Sequence, residues 1–193
     1  MTYPDICIDS TEVTEKQYQQ FLDSKPSLES QSEPCKTMNS TFAPPPDADC
    51  PFAPQTEPNL PARTYLDWCD ASAYCAWAGK HLCTSLEWQR ACSKNGAQKY
   101  SWGNQFDPMA CNMQGKDPVT PPNEVGTSPS CEGGFPGIYD MLGNVREWTD
   151  ECLSADTCKA VGGDYTSVGN DCSSYLSVPR LAHFCQIGFR CCR

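Results

Sequence analysis

Fifteen cysteines in 193 residues constrain this chain more than any other feature. So many thiols do not belong in a reducing cytosol, whereas an oxidising compartment pairs them into disulfides that staple a loop-rich fold. Zinc is the competing explanation. It asks for Cys-x₂-Cys pairs or histidine partners, but Cys191-Cys192 are adjacent, and the two histidines, His81 and His183, stand apart. The cysteines therefore read as a disulfide framework in a secreted, periplasmic or cell-surface protein, and the odd count leaves at least one thiol unpaired within the chain. Residues 1–4 lack both the basic and the apolar parts of an export signal, so the expectation is a mature chain whose signal has been removed. No apolar run approaches the roughly 18 residues of a membrane span.

The remaining composition narrows the class further. One domain over 1–193 is the simplest division, long enough to bury roughly 70% of its unfolded surface. Lys and Arg number 14 against 24 Asp and Glu, for a net charge of −10. With no basic stripe, nucleic acid and anionic membrane surfaces are disfavoured as partners.

Secondary structure is legible in pieces. Residues 5–13 read as a strand, with Ile6 and Ile8 on one face and Cys7 on the other. Thr14-Glu15-Lys16-Gln17 is a capping box, followed by helical spacing at Tyr18, Phe21 and Leu22. A second helix is predicted over 68–78. It starts at Asp67 or Asp70, buries Ala71, Tyr74, Cys75 and Ala78, and stops at Gly79. A third begins with the box Thr84–Glu87, faces Trp88, Ala91 and Cys92 inward and closes at Gly96. Between them, residues 24–63 carry nine prolines. They read as a long surface loop stapled by Cys35 and Cys50, not as a linker.

Residues 133–149 organise the chain. Gly143-Asn144 marks a sharp reversal, because these two residue types tolerate positive φ. In the strand that follows, Val145 and Glu147 share one face while Arg146 and Trp148 share the other. A carboxylate just past a turn that exposes carbonyls can seat Ca²⁺. From the residues alone, a strand-end Glu147 paired with a backbone amide or with Arg146 is the simpler reading.

The run Gly137-Ile-Tyr-Asp-Met-Leu-Gly-Asn-Val-Arg-Glu-Trp-Thr149 resembles the signature block of the formylglycine-generating-enzyme family, the sulfatase-modifying-factor domain. Six further blocks agree in order. They are Thr11–Thr14 with Tyr18, Tyr74–Lys80, Glu87–Ala91, Trp102–Asn104, Gly162–Tyr165 and Gly188–Cys191. The resemblance implies an α+β, C-type-lectin-like fold that is loop-rich, with two to three short helices, short antiparallel strands, paired termini and several disulfides. The closing strand 188–192 would pair with the one near Cys7, which brings Cys7 within reach of a disulfide to Cys191 or Cys192.

The resemblance also implies chemistry. Enzymes of the family oxidise a peptidyl cysteine to formylglycine with O₂ and a copper(I) held by two thiolates, a soft donor pair suited to that ion. The matching positions are Ser167 and Cys172, so one ligand is a hydroxyl. Cys172 then has three readings: a structural disulfide, a free thiol, or a copper ligand rescued by a neighbour such as Cys185. The three-histidine iron site of other relatives has no basis in His81 and His183. For calcium, the family's turn site maps onto the carbonyls of Leu142, Gly143 and Val145 with the Glu147 carboxylate, Asp140 or Asp150 assisting through water. A second family site would use Asn112 and Met113, although its other half has no counterpart between Lys116 and Val125. The tryptophans read as core, not as sugar-stacking platforms.

Two functions follow as expectations. The first is a secreted, calcium-stabilised, non-catalytic module that binds a protein or a glycan, with the polar run 164–175 as a recognition surface. The alternative is the copper-dependent oxidase, with Cys172 as its one recognisable ligand.

Overall fold

The computed structural model describes residues 7–45, 64–113 and 122–193. Its three longest helices start on capping boxes, in which a side chain at the cap and one at the third helical residue satisfy each other's backbone amides. Helix α1 (Glu15–Asp23) uses Thr14 and Gln17 and buries Tyr18 and Phe21. Helix α3 (Trp68–Trp77) uses Asp67 and Asp70. Helix α4 (Ser85–Cys92) uses Thr84 and Glu87 and buries Trp88, Ala91 and Cys92. Two details differ from the sequence reading: α3 stops at Trp77, and Ala78 is exposed beyond the buried stripe.

The proline-rich stretch holds more structure than expected. Helix α2 (Glu33–Met38) forms inside it, and a 3₁₀ turn covers Leu28–Ser30. Pro34 sits in the first turn of α2, where a missing N–H costs nothing and a fixed φ helps. The described helices therefore exceed the two to three predicted. Cys35 bonds to Cys69 at the start of α3 and not to Cys50, which lies outside the described residues, as does Ile6.

Two sheets carry the rest. Strand β1 (His81–Leu82) pairs antiparallel with β6 (Cys191–Cys192). The larger sheet runs β4-β3-β2-β5, from β2 (Arg146–Cys152), β3 (Thr157–Val161), β4 (Tyr175–Pro179) and β5 (Ile187–Phe189). Its β2–β3 and β3–β4 pairs are antiparallel, and β2–β5 is parallel. Residues 7–13 make only a single bridge, Ile8 to Cys192, in place of a full strand. The termini still meet, because Asp9 N donates to Cys191 O and Arg193 N to Cys7 O.

One apolar cluster joins α1, α3 and the sheet through Tyr18, Phe21, Tyr74, Trp148 and Phe189. The other lies under α4 around Trp88, Met141, Leu142 and Val161. Trp68, Trp88 and Trp148 are buried, while Trp77 is exposed on the face of α3. Six disulfides have both halves among the described residues: Cys35–Cys69, Cys75–Cys191, Cys83–Cys192, Cys92–Cys172, Cys111–Cys131 and Cys152–Cys158. The adjacent Cys191 and Cys192 thus diverge, one to α3 and one to the segment between β1 and α4. They leave Cys7 as a free, exposed thiol, which corrects the expected link from Cys7 to the C-terminus.

Candidate functional site

The turn before β2 adopts the predicted reversal, with φ of +77° at Gly143 and +55° at Asn144. A side chain at Gly143 would meet the Asn112 carbonyl oxygen at 2.6 Å, so close packing as well as φ demands glycine. Asn144 then fastens four segments. Its backbone N–H donates to Asn112 O (2.8 Å), and its carbonyl accepts from Tyr165 N (3.0 Å). Its side chain donates to Glu12 Oε1 (3.1 Å) and accepts from Asn123 N (2.7 Å). Asn112 and Met113, the residues of the expected second cation site, thus lie against the turn itself.

Glu147 projects from β2 into the interior, 1% exposed. Its Oε2 accepts from Trp88 Nε1 (2.8 Å) and Arg190 Nε (2.8 Å), and its Oε1 accepts from Arg190 Nη2 (2.8 Å). Arg190 spends its remaining donors on the carbonyls of Asp9 (3.0 Å) and Tyr139 (2.8 Å). This bidentate pair joins the signature turn to the closing segment of the chain. Glu147 therefore pairs with Arg190, not with the Arg146 of the sequence reading. As placed, its carboxylate does not fit the calcium role: its charge is matched by a guanidinium, and a divalent cation beside it would face like charge.

Two more acids stand near. Glu12 is buried, and its Oε2 has no hydrogen-bond partner. Burial, reinforced by the Asp140 carboxylate, raises its pKa well above the ordinary range despite the opposing pull of Arg190. Asp140, itself raised mainly by burial, accepts from Gly126 N (2.6 Å).

The opposite face of β2 points Arg146 at the loop after Gly162-Gly163. Its Nη2 donates to Ser167 Oγ (3.0 Å) and lies 3.3 Å from Asp164 Oδ2. Ser167 Oγ in turn donates to Asp164 Oδ2 (2.8 Å). Cys172, five residues on and 5% exposed, is bonded to Cys92 of α4 with Cα atoms 5.6 Å apart. Cys185 is also disulfide-bonded, so it cannot rescue the pair. The two positions that would hold copper(I) offer a hydroxyl engaged by an arginine and an aspartate, and a sulfur already oxidised. Neither is a thiolate, so the donor set does not fit the ion.

His81 lies near the surface, its Nε2 3.0 Å from Glu87 Oε2, and makes no cluster with His183. His183 packs at a tilt against Tyr65, with ring centroids 5.8 Å apart, and stands beside Asp67 and Asp70. Sequence reading assigned those aspartates only to the start of a helix. No spacing rule connects them to a residue more than 110 positions away.

Comparisons with known proteins agree with this architecture. The profile of the Sulfatase-modifying factor enzyme 1-like domain matches residues 1–193. The inactive C-alpha-formylglycine-generating enzyme 2 of Bos taurus is 45% identical over 94 residues, 44% of this chain and 31% of that protein. The formylglycine-generating enzyme of Mus musculus is 40% identical over 100 residues, 45% of this chain and 26% of that one. The matched stretches thus span about a third or less of these relatives. Among solved structures, PvdO from Pseudomonas aeruginosa superposes with a TM-score of 0.73 at 20% identity, covering 97% of this chain and 80% of that one. Treponema denticola variable protein 1 gives 0.70 at 16%, covering 96% and 83%. With every signature block in order, the same fold, and the family profile matched from end to end, the chain belongs to the formylglycine-generating-enzyme (sulfatase-modifying-factor) family.

Proposed function

We propose that this protein is a non-catalytic member of its family, a disulfide-stapled binding module that works in an oxidising, extracytoplasmic compartment. The observation that carries this reading is the Cys92–Cys172 disulfide beside a hydrogen-bonded Ser167. Thiolate copper chemistry needs two reduced sulfurs, and neither position supplies one. Fold and family do not by themselves imply the activity. A relative described as inactive matches this chain as well as the named enzymes do.

The surface favoured for recognition is the polar run 164–175 with the edge strand β4. Val168 is 65% exposed, and Tyr175 and Leu176 are each 50% exposed. Asp164, Asp171 and Arg146 hold the loop from within through hydrogen bonds to Thr166, Ser167 and Ser173. Such a rigidified loop, apolar at its tips and polar between, is suited to a protein or glycan partner. Calcium enters this reading only as an outcome to be measured, because Glu147 is already paired.

The test is turnover. The oxidised chain is incubated with a cysteine-containing peptide, copper(I) and O₂, and the peptide is weighed for conversion of thiol to aldehyde. No conversion is expected. Conversion that stops in Cys172→Ser overturns the reading in favour of the oxidase.

A further inference from the structure

The three capping boxes among the described residues differ in a way that helix capping does not explain. Those of α1 and α4 put a neutral threonine at the cap, with Gln17 and Glu87 as third residues. That of α3 uses two aspartates, 2% and 1% exposed. A box needs oxygen acceptors and not two negative charges, since Ser, Thr or Asn caps as well as Asp. Among the described residues, the hydrogen bonds that the two carboxylates receive come from neutral donors. Asp67 Oδ1 accepts from Asp70 N (2.9 Å), and Asp70 Oδ1 accepts from Asn39 Nδ2 (2.8 Å). No Lys or Arg ion-pairs with either aspartate among the described residues. Contrast Glu147, whose burial is matched by a bidentate arginine.

What faces the two aspartates is His183. One ligand atom from each of Asp67, Asp70 and His183 lies within 4.8 Å of the others, close enough for a single ion to touch all three after small side-chain adjustments. Asp67 and His183 also line a cavity of about 450 Å³, which gives an ion a way in and leaves room for water to complete its shell. Burial raises the pKa of both aspartates, the cost expected of charge held there without a full counter-charge.

We propose that Asp67, Asp70 and His183 form a binding site for a zinc-class divalent cation. One imidazole nitrogen with two carboxylate oxygens is a borderline donor set that suits Zn²⁺ at about 2.0–2.2 Å. An all-oxygen cage would be needed to favour Ca²⁺. Asn39, held on Asp70 and Gln31, is the outer residue that orients one ligand. The bound ion ties the start of α3 to the segment after β4, adding to the Trp68 N–Arg180 carbonyl hydrogen bond (3.0 Å) and the Arg180 guanidinium over the Trp68 ring. The site is independent of the copper and calcium positions and of whether the protein is catalytic.

The experiment is a zinc titration of the chelator-stripped, oxidised full chain against a competing chromogenic chelator, with thermal unfolding in parallel. Wild type should bind one equivalent and unfold at higher temperature with zinc present. His183→Gln, a change at a half-buried side chain, should weaken binding at least tenfold. Asp67→Asn, which keeps a capping oxygen, should do the same. His81→Gln and Cys7→Ser should leave affinity unchanged. Absence of saturable binding overturns the proposal, as does binding indifferent to His183→Gln. So does binding lost in Cys7→Ser, which would place the ion on the free thiol.

Discussion

The signature turn and the loop that follows Gly162-Gly163 touch each other, yet they kept different halves of the family pattern. In the turn every structural element is present: the positive-φ pair, the packed glycine, and the Glu147 carboxylate held by Trp88 and Arg190. In the loop Ser167 is held by Asp164, and the Cys172 sulfur is spent on Cys92. Strand β2 serves both, sending Glu147 to the interior and Arg146 to the loop. On the reading proposed above, the difference teaches that the shared pattern specifies a scaffold, and that the chemistry depends on a few side chains whose loss leaves the scaffold intact.

The largest predicted effect lies on the turn side. Arg190→Met strands a buried carboxylate and should cost about 3–5 kcal/mol in denaturant unfolding. Adding Glu147→Gln to it should recover much of that loss, because the amide oxygen still accepts from Trp88. If the double variant is no better than the single one, Arg190 stabilises by packing, and the turn is not organised by this pair.

On the loop side the Cys92→Ala/Cys172→Ala double variant should lose about 2–4 kcal/mol and gain no activity. A loss near zero would mean that the disulfide is not structural, and the contrast between the two regions would weaken.

A smaller effect is the pH dependence of Glu12. Its folded pKa is raised, so the folded chain holds this proton where the unfolded chain has lost it. Stability conferred by the protonated group is complete below the unfolded pKa of about 4.3 and falls as pH climbs through the folded value. Glu12→Gln keeps an acceptor for Asn144 and should flatten that decline in urea midpoints measured upward from pH 4. An unchanged slope would show that Glu12 is ionised and compensated.

The smallest effect is expected from calcium removal. With Glu147 neutralised by Arg190, chelator should leave the thermal midpoint of the zinc-free protein unmoved. A shift of several degrees that disappears in Glu147→Gln would return the ion to the carbonyls of Leu142, Gly143 and Val145.

What could be read from the sequence was local. The capping boxes at Thr14 and Thr84 and the turn at Gly143-Asn144 depend on neighbours a few residues apart, and each formed as read. Short α2 escaped because proline density was taken as a bar to helix, although Pro34 sits where a helix tolerates it. The disulfide map escaped because pairing depends on where the backbone brings sulfurs together, and Cys191 and Cys192 part company over one residue. The partner of Glu147 escaped for the same reason, since Arg190 lies 43 positions away. The family resemblance placed the copper positions at Ser167 and Cys172, and the serine there is what pointed away from a thiolate pair. That Cys172 is oxidised required Cys92 to be placed beside it.

The most direct test of the account is a copper(I) titration of the protein as folded, without reductant, under a competing chelator, with a count of alkylatable thiols in the same sample. The account predicts no stoichiometric copper(I) site dependent on Cys172, and no alkylation of Cys92 or Cys172. A tight one-to-one site that Cys172→Ser abolishes, together with alkylation of Cys172 in the untreated protein, would contradict it.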